Sequence, residues 1–138
     1  MLEKELKAAL ARGVRVEVIA PGKIGPNIVQ RAARSRWRGL MEAGVEMYTY
    51  QRSYYHCKVL IIDDVWVCTG SVNLDRRSFR LNDEANINVY DRKFAERQIE
   101  IFERDKGHSR RLTAEEFRSR PWIVKFLEQL AGLLRFQL

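Results

Sequence analysis

"HCKVLIIDDVWVCTGSVN", residues 56–73, decides the reading of the chain. Two apolar runs flank an Asp63-Asp64 pair, the pattern of a β-hairpin. In a strand, residues two apart project to the same side, so His56 and Lys58 stand together, about 7 Å apart along the strand. Leu60 and Ile62 continue that face, while Tyr55, Cys57, Val59 and Ile61 point the other way. Beyond the His and Lys both faces are apolar, so the run is expected to be an inner strand covered on both sides. The charged pair then belongs at its open end. Burying an unpaired lysine is costly, and a strand that keeps one beside a histidine is expected to present both to an anion.

The residues around this pair fit a phosphate. Imidazole can attack phosphorus or move a proton, and an ammonium neutralises phosphoryl oxygens as a point charge. Asn73, after a tight Gly70-Ser71 turn, can donate an amide N–H to the same oxygens, and Ser71 can add its hydroxyl or its backbone N–H. Glu84 can hold the imidazole Nδ1–H and fix the tautomer. Asp63 sits at the hairpin turn, too far along the strand to meet the imidazole, and is expected to anchor the turn or an opposing loop.

Outward from this stretch, the chain alternates helix and strand signals. Leu2, Leu6, Ala9 and Leu10 recur at helical spacing over 2–12, and Gly13 stops the run. "VRVEVIA" (14–20) alternates as a strand and Pro21-Gly22 ends it. Residues 27–43 read as a helix ending at Gly44, with Arg31, Arg34 and Arg38 on one face. "VEMYTY" (45–50) and "EANINVYD" (84–91) read as strands, and 92–106 as a helix with Phe94, Ile99 and Phe102 inward. Thr113-Ala114-Glu115-Glu116 has the capping-box pattern, and Pro121 opens a last helix over 122–136. This order predicts an α/β fold, a mixed β-sheet flanked by helices on both faces. Residues 1–112 are expected to form its body and 113–138 a helical extension packing on it. The first helix is one that would normally follow a strand, so the chain reads as an α/β unit entered halfway, a fragment or a partner-dependent half.

With 138 residues, 46% hydrophobic and 31% charged, the chain fits one soluble domain. No run of about 18 uncharged apolar residues is present, so no membrane span is expected, and the charged start does not read as a secretory signal. The net charge of +7, from 25 basic and 18 acidic residues, favours an anionic partner such as nucleic acid, an acidic lipid surface or a phosphate-bearing substrate. Cys57 and Cys68 are expected to be small reduced core residues, and His108 a solvated loop residue. The apolar positions of "WIVKFLEQLAGLLRFQL" (122–138) suit either packing on the sheet, the reading preferred here, or docking at a membrane interface.

His56-x-Lys58-x4-Asp63-x6-Gly70-Ser71-x-Asn73 resembles the signature of the phospholipase D superfamily. "NLDRRSFRLNDEANI" (73–87) is similar to the cardiolipin synthase branch, as are "RGVRVEVIAPGK" (12–23), "LMEAGVEMYTYQ" (40–51) and "SRRLTAEEFRSRPW" (109–122). Cys57 departs from the small residue usual at its position, and Asp83 from a common aromatic. The resemblance implies a phospholipase D-like half-domain and a two-step exchange at phosphorus without metal or other cofactor. One histidine forms a phosphohistidine, and a second protonates the leaving alcohol and then activates the acceptor. His56, Lys58, Asp63, Asn73 and Glu84 become the catalytic candidates, and Ser71, Arg76, Arg77 and Arg80 the substrate-binding ones. The implied activity is a phosphatidyltransferase of cardiolipin synthesis, acting on anionic phospholipid at the cytoplasmic side of the cell membrane. The alternatives are a homodimeric phosphodiesterase or nuclease, with nucleic acid as partner, or an inactive fragment. The mechanism needs two motifs and the chain carries one, so a second motif-bearing half is expected: a missing N-terminal half or another copy.

Overall fold

A computed structural model describes residues 2–22, 28–73 and 83–133. Helix α1 (Leu2–Ala11) leads to β1 (Glu17–Pro21), α2 (Ile28–Glu42) and β2 (Glu46–Tyr50). The hairpin β3 (Val59–Ile62) and β4 (Trp66–Gly70) follows, then β5 (Asn86–Tyr90) and α3 (Arg92–Gly107). Strand β6 (Ser109–Leu112) and helices α4 (Ala114–Ser119) and α5 (Trp122–Leu133) complete the described chain.

Local chemistry accounts for the element ends. At the end of α1, Gly13 N–H bonds Leu10 O at 2.9 Å and Val14 N–H bonds Ala9 O at 3.1 Å. Gly44 and Val45 repeat the arrangement on Met41 and Leu40 after α2. Both glycines have positive φ, the left-handed cap that a residue with a Cβ adopts only under strain. Asp91 caps α3 by accepting from Phe94 N–H at 2.7 Å. The expected capping box is present in α4, with Thr113 and Glu116 each bonding the other's backbone N–H.

The α/β class holds, with the strands divided into two three-stranded sheets instead of one. In the first, ordered β1-β2-β6, α2 carries the chain between parallel β1 and β2, and β6 adds antiparallel to β2. Its core is Ala20, Val45 and Met47, with Leu10, Trp37, Leu40 and Leu112 packed around them. Met47, on the central strand, is 1% exposed. The sequence reading misses β6. "SRRL" has four residues and two outward arginines, too little for a periodic signal, and its pairing with β2 from Met47–Leu112 to Tyr50–Ser109 makes it a strand.

The second sheet is antiparallel, ordered β3-β4-β5. Val67, on its central strand, is fully buried, and α3 packs against β3 and β4. Alternation places Leu60, Ile62, Trp66 and Tyr90 on the face opposite Val67. Here the expectation for the opening stretch is corrected. β3 is an edge strand, Leu60 and Ile62 are exposed, and Tyr90 is 78% exposed. The face of Val67 is packed at its centre, though Val59 and Ile87 at its end are exposed, and most of the apolar side chains on the other face are exposed as well. The strand also starts later than expected, so His56 and Lys58 lie in the extended segment that leads into it.

Helix α3 lies against strands of both sheets. Lys106 bonds Glu17 of β1 at 2.9 Å, and Arg15 reaches the same carboxylate at 2.7 Å. Partial burial pushes the Glu17 carboxyl up, but hydrogen bonds from Lys106 and Arg15 outweigh it and hold the group below the usual carboxylate range. The expected packing of the last helix on a sheet is also corrected: α5 packs mainly against α2.

Candidate active site

The hairpin and β5 gather the candidate residues by strand direction alone. In the antiparallel order β3-β4-β5, the start of β3, the end of β4 and the start of β5 share one end of the sheet. His56 and Lys58 enter at that end, Gly70 to Asn73 leave from it, and Glu84 precedes β5 there. Asp63 lies at the opposite end, in the turn between β3 and β4, with φ +53°. A short polar side chain tolerates this left-handed conformation. Asp64 beside it pairs with Arg92. The structure thus groups His56, Lys58, Asn73 and Glu84 and leaves Asp63 as a turn residue. Arg76, Arg77 and Arg80 fall outside the described residues.

Lys58 Nζ lies 2.6 Å from His56 Nε2 and 3.3 Å from the His56 carbonyl oxygen. An ammonium has donors only. The imidazole therefore accepts through Nε2 and keeps its proton on Nδ1, so the nucleophilic lone pair and the cation share one spot. The imidazole is exposed and lies against the Tyr54 ring, with centroids 5.4 Å apart. Tyr55 anchors the segment from the other side. Its hydroxyl donates to buried Asp105 of α3 at 3.3 Å, and its ring lies 4.8 Å from that of Tyr50. Burial foremost, with Cys57 and Asp105 adding to it, pushes the Tyr55 phenol far above its usual range and keeps it a neutral donor.

The Gly70-Ser71 turn is fixed by backbone bonds. Gly70 N–H reaches Lys58 O at 3.4 Å, which ties the turn to the lysine. Ser71 N–H donates to Ala85 O at 3.0 Å, and the Ser71 hydroxyl accepts from Ala85 N–H at 3.0 Å. Ser71, expected to touch substrate, is thus engaged in locking the turn to the residue after Glu84. Asn86 is a residue that the sequence reading missed. Its Oδ1 accepts from Val72 N–H at 3.3 Å and its Nδ2 points at Cys68 Sγ, also at 3.3 Å. An asparagine opening an apolar strand was the available signal.

Two further expectations are corrected. Cys57 and Cys68 are unpaired, as expected, but Cys57 is exposed and not a core residue, because the segment that carries it precedes the packed strand. His108 is the C-cap of α3, half-buried, with its ring edge-on to Tyr50 at 6.5 Å and its carbonyl accepting from Gln51 N–H. It is a structural residue of the α3–β6 corner, not a solvated loop. Among the described residues no group of three His, Cys, Asp or Glu is placed to hold a metal ion.

Fold and site together define an α/β unit that sets an imidazole and an ammonium side by side at the open end of a sheet, the equipment for chemistry at phosphorus. Residues 1–106 match the family described as cardiolipin synthase, PLD-like domain. The chain belongs to this family, within the phospholipase D superfamily. Cardiolipin synthase 1 of Staphylococcus epidermidis is 41% identical over 129 residues, 94% of this chain and 26% of that protein. The cardiolipin synthase of Halalkalibacterium halodurans is 36% identical over the same shares. The chain thus spans about a quarter of the length of the curated relatives it matches. The crystal structure of Nuc, a phospholipase D family member from Salmonella typhimurium, matches with a TM-score of 0.70 at 26% identity, over 80% of this chain and 72% of that one. Phosphatidylserine synthase of Haemophilus influenzae matches 99% of this chain and 38% of its own with a TM-score of 0.76; at 19% identity it shares the fold alone.

Proposed function

We propose that this chain supplies one half of the active site of a phosphatidyltransferase of cardiolipin synthesis. The observation that carries the reading is the 2.6 Å approach of Lys58 Nζ to His56 Nε2 in a chain of the cardiolipin synthase family. The His56 Nε2 lone pair attacks the phosphodiester phosphorus of a phosphatidylglycerol-type lipid. A P–N bond forms, and the P–O bond to the glycerol breaks. Lys58, displaced from the imidazole onto a phosphoryl oxygen, and the Asn73 amide neutralise the charge that builds on phosphorus. Glu84 holds Nδ1–H and stabilises the imidazolium. The leaving oxygen takes a proton from a histidine on a second motif-bearing half. That group then removes the proton of the acceptor hydroxyl, which attacks phosphorus as the P–N bond breaks. His108, capping α3 against Tyr50, does not serve as this second histidine. Residues 1–112 are the catalytic half and 113–138 its extension. The Arg76, Arg77 and Arg80 guanidiniums bind anionic headgroups, and the protein works peripherally at the cytoplasmic membrane surface. The described residues contain no helix long and apolar enough to cross a membrane.

The test is the conversion of phosphatidylglycerol to cardiolipin and glycerol, with acid-labile phosphate trapped on the protein. Both require the second half, as another copy or as the remainder of a longer enzyme. Trapping is expected to vanish in His56→Ala, and robust turnover by a strict monomer would sink the two-histidine account. A second reading, a homodimeric phosphodiesterase or nuclease, is favoured by the single motif of a short chain and by the +7 charge, which suits nucleic acid. Cleavage of DNA without lipid exchange would select it. A chain inactive with any second half would select the inert fragment.

A further inference from the structure

Helix α5 is inside out. Its one buried residue among those whose side chains are described is the acid Glu128, 4% exposed, paired with Arg120 at 2.7 Å. Trp122, Phe126 and Leu130, spaced four apart, form an exposed stripe with Ile123 and Leu127 beside it; Trp122 is 74% exposed and Phe126 58%. A soluble helix normally turns such a stripe inward. Here the helix packs on α2 with Glu128 buried, and the apolar edge is left largely exposed among the described residues. The 12 described residues of the helix extend about 18 Å, less than a bilayer's hydrocarbon core, and an apolar stripe beside cations suits a helix lying flat in the headgroup layer.

The charges beside the stripe identify what covers it. An open cleft of about 270 Å³ between α2, α4 and α5 is lined by Arg38, Arg118, Arg120 and Lys125, with Glu128 the one carboxylate. Arg38 is held by Glu42 and Arg120 by Glu128, while among the described residues no carboxylate lies within ion-pair distance of Arg118 or Lys125. A second copy brought face to face would set cations against cations on two chains of +7. An anionic lipid surface satisfies both parts, taking the aromatic stripe between its headgroups and the cations against its phosphates. We propose that α5 is an interfacial docking helix for anionic bilayers, with the Arg118–Lys125 cleft seating a lipid phosphate. The inference rests on the lipid reading of the site and adds the element that brings the chain to its substrate.

The experiment uses the full chain, without turnover, in co-sedimentation with vesicles of phosphatidylglycerol and phosphatidylcholine or of phosphatidylcholine alone. Binding to the anionic vesicles, with a blue-shifted Trp122 emission that Trp122→Phe removes, is expected. Trp122→Ser with Phe126→Ser, both at exposed positions, is expected to weaken binding about tenfold or more. Lys125→Glu with Arg118→Glu is expected to weaken it at least about fivefold and to flatten its salt dependence. Equal binding to neutral vesicles, or binding unchanged in both double variants, overturns the proposal. So does self-association abolished by Phe126→Ser, which would make the stripe a protein interface. Docking that persists without lipid exchange supports α5 and counts against the transferase alone; lipid exchange without docking does the reverse.

Discussion

Gly70→Ala tests whether the turn beside Lys58 is held by close packing. A Cβ on Gly70 would fall inside van der Waals contact of Ala85 O and Asn86 Oδ1 and within 2.7 Å of Asn86 Cα. Neither neighbour is free to retreat. Ala85 O accepts from Ser71 N–H, Ala85 N–H donates to the Ser71 hydroxyl, and Asn86 Oδ1 accepts from Val72 N–H. Relief therefore means separating β4 from β5 at this end. Overpacking of this kind costs about 1–3 kcal/mol, and each hydrogen bond broken adds about 1 kcal/mol. A loss of about 2–4 kcal/mol is expected, read as a lower urea midpoint with unchanged slope. Because Gly70 N–H also bonds Lys58 O, phosphoryl-enzyme formation should fall as well. Gly13→Ala is the matched control. It has nothing within 4 Å of the added Cβ and only a positive φ to offend, so about 1 kcal/mol is expected with the site untouched. A Gly70→Ala protein within about 0.5 kcal/mol of the parent, or a larger loss in Gly13→Ala, would refute the reasoning.

Three other perturbations follow from the same geometry. Asp63→Gly relieves the left-handed backbone at the hairpin turn, so stability should be kept or raised by up to about 1 kcal/mol, with phosphoryl transfer intact; collapse of transfer in a stable variant would return Asp63 to the catalytic set. Tyr55→Phe leaves buried Asp105 without its phenol donor and should cost about 1–3 kcal/mol in urea unfolding; a neutral effect would mean that α3 does not anchor the motif segment. Glu17 titrates below its ordinary value in the folded protein, so its stabilisation is complete above about pH 4.3 and is lost as pH falls through the folded pKa. The gap in urea midpoint between the parent and Glu17→Gln should therefore narrow from pH 6 to pH 3, and a constant gap would remove Glu17 from the acid response.

Much of the site was legible because strand alternation and turn chemistry are local. The His56–Lys58 spacing, the Gly70-Ser71 turn and the displacement of Asp63 to the far end of β3 all follow from counting along the chain. The misreadings came from what is not local. An apolar run such as Val59–Ile62 encodes burial in whatever assembly the strand works in, not its place in this sheet, so an inner strand was expected where an edge strand stands. Alternation cannot say that Ser71 would be engaged by Ala85 or that Asn86 would brace the turn, since those partners lie 14 and 15 residues away from the turn serine. α5 misled for a related reason: its periodicity announced an apolar face without saying which side the protein would occupy.

The position of α3 across the two sheets has a consequence for how the molecule comes apart. Glu17, Tyr55 and strands of both sheets all lean on this one helix. Neither sheet can open far while it stays in place, so its amides should exchange with solvent as slowly as any in the chain. The histidine segment then inherits its protection from a helix that carries none of the chemistry, and damage to the buried side of α3 would surface first as a loosened nucleophile.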